Sequence, residues 1–120
     1  VRWLALAGLA IVLVVHLARR HLDAVEVRGR SMAPTLLPGD RLLVMRGAPR
    51  AGDVVVARDP RDRRRELVKR VGRIDSAGIH LRGDNPGAST DARTFGALDP
   101  GLVKWRAVLR YWPARRMGRI

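Results

Sequence analysis

Apolar side chains run from Trp3 to Ala18 with only Gly8 and His16 intervening, and beyond Asp23 this block gives way to short alternating stretches. The first pattern predicts a helix. Its apolar part is about 24 Å long at 1.5 Å per residue, somewhat under a hydrocarbon core of about 30 Å. Arg2 on one side and Arg19 and Arg20 on the other can snorkel to make up the difference. The stretch HLARRHLD offers no small-x-small cleavage site after the apolar run, so residues 1–20 read as a retained single-pass anchor. The arginines that follow it favour a cytoplasmic side there, and Arg2 pulls the other way.

The second pattern predicts strands. AVEVR alternates, RLLVMR follows the turn formers PGD, DVVVAR follows AGD, ELVKRVGRI precedes the turn DSAG, and GIHLR and LVKWRAVLRYW complete the set. Helical periodicity is absent after the anchor. The expected fold is all-β, a compact antiparallel, barrel-like core over residues 24–113, followed by a basic tail at 114–120. Arg58 to Glu66 reads as a charged loop between strands, and Gly83 to Gly96 as a structured polar loop.

Composition narrows the chemistry. The chain has no cysteine, which excludes disulfides, thiolate zinc sites and a cysteine nucleophile, and its three histidines are scattered. No metal or other cofactor is expected. The net charge of +13 points to anionic partners, either nucleic acid or lipid headgroups. Few aromatics accompany it and no reading helix is recognisable, so nucleic acid is not the expected partner. Of 24 basic residues only Lys69 and Lys104 are lysines, which raises the question of what an arginine could not do there.

Lys69 alternates with Leu67 and Val71 on one face of its strand, while Glu66, Val68 and Arg70 share the other. If the first face is the core face, the ammonium is desolvated and the neutral amine, a general base, is favoured. Arginine stays charged and cannot take that role. Ser31 sits among turn formers, two residues after Gly29 and ahead of Pro34 and Gly39, where backbone N–H groups can be presented to a carbonyl oxygen. Lysine is a known partner for a nucleophilic serine where no His/Asp pair is available. Periodicity alone leaves open a lysine that snorkels at a sheet edge, and a serine beside glycine is the usual content of a linker.

Three blocks in order, SMAPTL followed by PGD, then VKRVG, then GDNPGASTDARTFG, resemble the signature blocks of type I signal peptidases, the membrane-bound Ser/Lys proteases that remove leader peptides. The resemblance spans Val25 to Gly96 together with the anchor before it. It implies Ser31 as acylating nucleophile and Lys69 as its base, with the Ser31 N–H in the oxyanion hole and Gly29 beside it. Ser89 would orient the lysine amine, and Asp84, Asp91 and Arg93 would form a supporting polar network. Met32 and Pro34 would border shallow pockets for small substrate side chains.

Gly29 replaces a hydroxyl residue of some members, Ala92 replaces a frequent serine, and no accessory β-domain fits between Arg70 and Gly83. The compactness, the last block and the terminal LRYWP also resemble the nickel-type superoxide dismutase maturation proteases. The implied partners are a precursor's leader peptide and the lipid of a bacterial-type cell membrane. Two rival readings are a membrane-tethered basic β-domain that binds nucleic acid or acidic partners without catalysis, and a self-cleaving Ser/Lys switch.

Overall fold

The computed structural model describes residues 1–88 and 95–120. Helix α1 covers Arg2–His21 and carries Arg19, Arg20 and His21 in its last turn, where cations complement the carbonyl end of the helix dipole. None of its residues is buried. Twenty residues give about 30 Å of helix, and with its mean hydropathy of 1.7 it is long and apolar enough to cross a membrane.

The chain passes directly from α1 into β1 (Leu22–Glu26) and continues through β2 (Arg41–Arg46), β3 (Val54–Asp59), β4 (Asp62–Asp75), β5 (Gly78–Arg82), β6 (Val103–Trp112) and β7 (Gly118–Arg119). Every pairing is antiparallel, in the order β1-β2-β6-β3-β4-β5, with β7 added to β6. An all-β core behind one apolar helix is therefore what the chain forms. The sheet is not closed into a barrel: among the described residues β1 and β5 end the path.

Two features of the sequence pattern come out differently. Arg58 to Glu66, expected as a charged loop, is the end of β3 and the start of β4, joined by a tight turn at Pro60 and Arg61. The buried Asp59 carboxylate stabilises that turn. It accepts from the Arg61 N–H at 2.9 Å and from the Arg61 guanidinium at 3.1 and 3.0 Å. The guanidinium holds Asp59 below the usual carboxylate range. Residues 114–120, expected as a tail, instead form a 3-10 turn at Ala114–Arg116 and strand β7 against Leu109 and Arg110.

Strand β3 lies at the centre because both of its faces are apolar. Val54 and Val56 join Val27, Met32, Leu36, Leu42, Val44 and Ala107 in one buried cluster. Val55 and Ala57 join Val71, Ile79, Leu81, Leu98 and Val103 in a second. A strand covered on both faces reads as a continuous apolar run, as VVVA does.

Candidate active site

The segment from Val27 to Asp40 is tied at both ends. The Val27 N–H donates to the Asp40 carbonyl at 2.8 Å, and the Gly39 N–H returns a bond to the Val27 carbonyl at 2.9 Å. Between these points Met32 and Leu36 drop into the first core cluster at 1% and 0% exposure, linked by a Leu36 N–H to Met32 carbonyl bond of 2.9 Å. Met32 is thus the internal anchor of the loop, and with Met32 inside, the neighbouring Ser31 stays partly exposed. Pro34 is exposed, outside the cleft lining, and follows a cis peptide bond. Gly29 has φ +74°, a left-handed conformation that glycine adopts without strain. A residue with a side chain at that position would be strained whatever chemistry it offered.

Lys69 enters from β4. It is level with Val55 in the ladder, and Leu67 and Val71 flank it on the same face. All three are buried, Lys69 to 3% exposure, while Val68 and Arg70 on the other face are half-buried. The alternation seen in the sequence therefore places the lysine on a core face.

Ser31 and Lys69 line a common cleft of about 670 Å³. Its walls are Ala24 to Glu26 of β1, the Arg28 to Ser31 segment, Arg64 to Lys69 of β4, Val56 and Ala88. Among the described residues β1 pairs only with β2, and β4 pairs with β5 only from Arg70 onward. The cleft thus lies between strand segments with an unpaired edge.

The segment after β5 joins the two walls. The Asn85 N–H donates to the Ser31 carbonyl at 2.8 Å, and the Asn85 side-chain amide donates to the Arg30 carbonyl at 3.0 Å. Asp84 receives both arms of Arg70, Nε to Oδ1 at 2.9 Å and Nη2 to Oδ2 at 2.8 Å, and the Thr35 hydroxyl at 2.7 Å. Arg70 also donates to the Gly52 carbonyl at 2.7 Å. Hydrogen bonding from Arg70, joined by Thr35, holds the Asp84 carboxyl below its ordinary range. Asp84 was expected in a supporting network, and its partners here are Arg70 and Thr35. Its other expected members Asp91 and Arg93, like Ser89, lie outside the described residues.

Sequence reasoning missed Arg70, Thr35 and Asn85. A signal for Arg70 was present, since alternation puts its charge on the face opposite Lys69 and beside the apolar Val68, where it calls for a carboxylate partner. Thr35 and Asn85 had none, because their partners lie 49 and 55 residues away. Among the described residues no group of three or more His, Asp or Glu side chains is placed to hold a metal ion.

Residues 1–75 match the family model described as signal peptidase, peptidase S26. The chain belongs to this family. Among curated proteins, signal peptidase relatives include the mitochondrial ATP-independent inner membrane protease subunit 1a of Arabidopsis thaliana, 31% identical over 88% of this chain and 80% of the relative. Mitochondrial inner membrane protease subunit 1 of Schizosaccharomyces pombe is 28% identical over 90% and 85% respectively. The human subunit 1 is 26% identical over 88% and 79%. As a signal peptidase of the S26 type the chain is a peptidase, and the all-β core behind an apolar helix is the frame on which its cleft is built.

Proposed function

We propose that this signal peptidase is a membrane-anchored serine endopeptidase that removes leader peptides from precursor proteins with Ser31 as nucleophile and Lys69 as general base. The observation that carries the reading is that these two residues line one cleft while Lys69 is buried in a sheet face. Burial disfavours the charged ammonium, which suits an amine that must accept a proton.

The amine takes the Ser31 hydroxyl proton as Oγ attacks the scissile carbonyl carbon, and the resulting oxyanion is received by the Ser31 N–H. Collapse breaks the C–N bond. The lysine ammonium returns its proton to the leaving amine, so the mature chain departs and an ester joins the leader to Ser31. The same amine then takes a proton from water, and the hydroxide attacks the ester. As the ester bond breaks, the ammonium returns that proton to Ser31 Oγ, which frees the leader's carboxyl group and restores both the serine hydroxyl and the neutral amine.

Substrate fits this cleft best as an extended segment, because unpaired main-chain groups border it on β1 and β4. Helix α1 holds the site near the lipid surface, and exposed arginines add attraction to anionic headgroups of about 1 kcal/mol for each well-placed residue. The precursor of a nickel superoxide dismutase is the first substrate to try, on the likeness of the last sequence block and the LRYWP stretch.

The test is cleavage of a leader-bearing precursor by the full chain in detergent or vesicles. Ser31→Ala and Lys69→Arg are expected to abolish it while each variant keeps the wild-type circular dichroism spectrum. Cleavage retained by either folded variant would refute the dyad.

A further inference from the structure

Asp40 is a buried carboxylate, 2% exposed, that the chemistry above does not use. It closes the segment that begins at Val27, and its Oδ2 accepts the Leu37 N–H at 2.9 Å. Two arginines from the end of the chain converge on it. Arg116 Nη1 lies 2.7 Å from Oδ1 and 2.9 Å from Oδ2, and Arg110 Nη1 lies 3.3 Å from Oδ2. Arg110 Nη1 also donates to the Thr35 carbonyl at 3.0 Å, and its Nε donates to the Arg116 carbonyl. The Thr35 hydroxyl passes the connection to Asp84, and Asp84 to Arg70, the residue next to Lys69.

We infer that the C-terminal segment is a brace on the nucleophile loop, and that Arg116 is a positioning residue for the cleavage reaction. The inference rests on the Ser31/Lys69 reading for its catalytic consequence, though not for its structural one. The geometry sets the argument. A loop that carries a nucleophile must hold it within a fraction of an ångström of productive geometry, and displacement of about 1 Å costs roughly a hundredfold in rate. Met32 and Leu36 fix the loop from the inside through non-directional packing. The outer half, Thr35 to Asp40, is held by directional bonds, and the strongest of these end on the Asp40 carboxylate. Without Arg116 that buried carboxylate loses its shortest contacts and the loop has reason to move toward water.

A single guanidinium nitrogen bridges both carboxylate oxygens, so one ammonium can replace it. This predicts that lysine is tolerated at position 116, unlike at a two-armed site such as Arg70 with Asp84.

The experiment compares Arg116→Ala and Arg116→Lys in the full chain. Steady-state cleavage of a leader peptide is read beside amide hydrogen exchange at 32–40 and, as an internal control, at Ile79 and Leu81. For Arg116→Ala the expected result is a kcat at least tenfold lower, a KM within threefold, and faster exchange at 32–40 with the control unchanged. Arg116→Lys should return kcat to within threefold of wild type. Wild-type kcat or unchanged loop exchange in folded Arg116→Ala would overturn the brace, as would uniformly faster exchange across the sheet. If Arg116→Ala does not fold, Arg116→Gln, which keeps most of the side chain but removes the charge facing Asp40, is judged by the same criteria. Loop exchange also separates the two readings: faster loop exchange in a protein whose cleavage survives Ser31→Ala keeps the brace and removes the dyad.

Discussion

Arg70 grips Asp84 through two parallel hydrogen bonds of 2.9 and 2.8 Å, which ties the strand of the buried lysine to the segment that holds the Ser31 carbonyl. Because Thr35 donates to the same carboxylate, one side chain sets the spacing between the two walls of the cleft. Asp84→Asn removes the charge from this junction while keeping its shape. It is expected to cost about 1.5–3 kcal/mol in urea unfolding at neutral pH, the range for hydrogen bonds to a charged group.

The same pair makes a pH prediction. The folded-state Asp84 carboxyl lies below its ordinary value because Arg70 bonds the ionised form. Its contribution is therefore fully present above the unfolded value near 3.9 and is lost as pH falls through the lower folded value. The stability gap between wild type and Asp84→Asn should be flat from pH 7 to about 5 and narrow below about 4. A gap that widens on acidification would show that the carboxylate is not the group involved.

Lys69→Met separates activity from stability. Methionine keeps a side chain of similar length and volume in the buried position and removes only the amine that must accept the proton. Leader cleavage is expected to fall by at least a thousandfold in a variant that still unfolds cooperatively in urea. A Met variant that loses activity only because it unfolds would mean that the lysine serves the fold.

Gly78 opens β5 at φ +133°, and a Cβ there would collide with the Leu98 carbonyl oxygen, to which the neighbouring Ile79 N–H donates at 2.9 Å. Gly78→Ala should destabilise by more than about 2 kcal/mol, since neither the backbone angle nor the neighbouring backbone can give way cheaply. Thermal melts of the two proteins side by side measure it. Gly29→Ala, in open space at φ +74°, should cost less.

Met32→Ala tests the inner support of the nucleophile loop. Its side chain is 1% exposed in the first core cluster, so truncation should cost about 2–5 kcal/mol and loosen the Ser31 turn. The likeness to signal peptidases pointed to Met32 as a substrate contact, since an apolar residue beside a nucleophile suits either role in a linear pattern. Its burial in the first core cluster supports the packing role.

Sequence by itself determined whatever depends on local periodicity and turn chemistry. The apolar helix, β2 and β5 with their bounds, and the common face of Leu67, Lys69 and Val71 in β4 were legible, because relative side-chain direction in a helix or strand follows from position alone, whereas which face of β4 turns inward was not. The turn at Pro60 and Arg61 was not, since a run of charges looks like a loop until a buried Asp59 accepts its N–H and guanidinium groups. Only the tertiary structure decided which distant groups meet: Arg70 with Asp84, Asn85 with the Ser31 carbonyl, and Arg116 with Asp40 across 76 residues. The physical reason is that a hydrogen bond is specified by distance and direction in space, and a chain position specifies neither until the sheet brings both partners together.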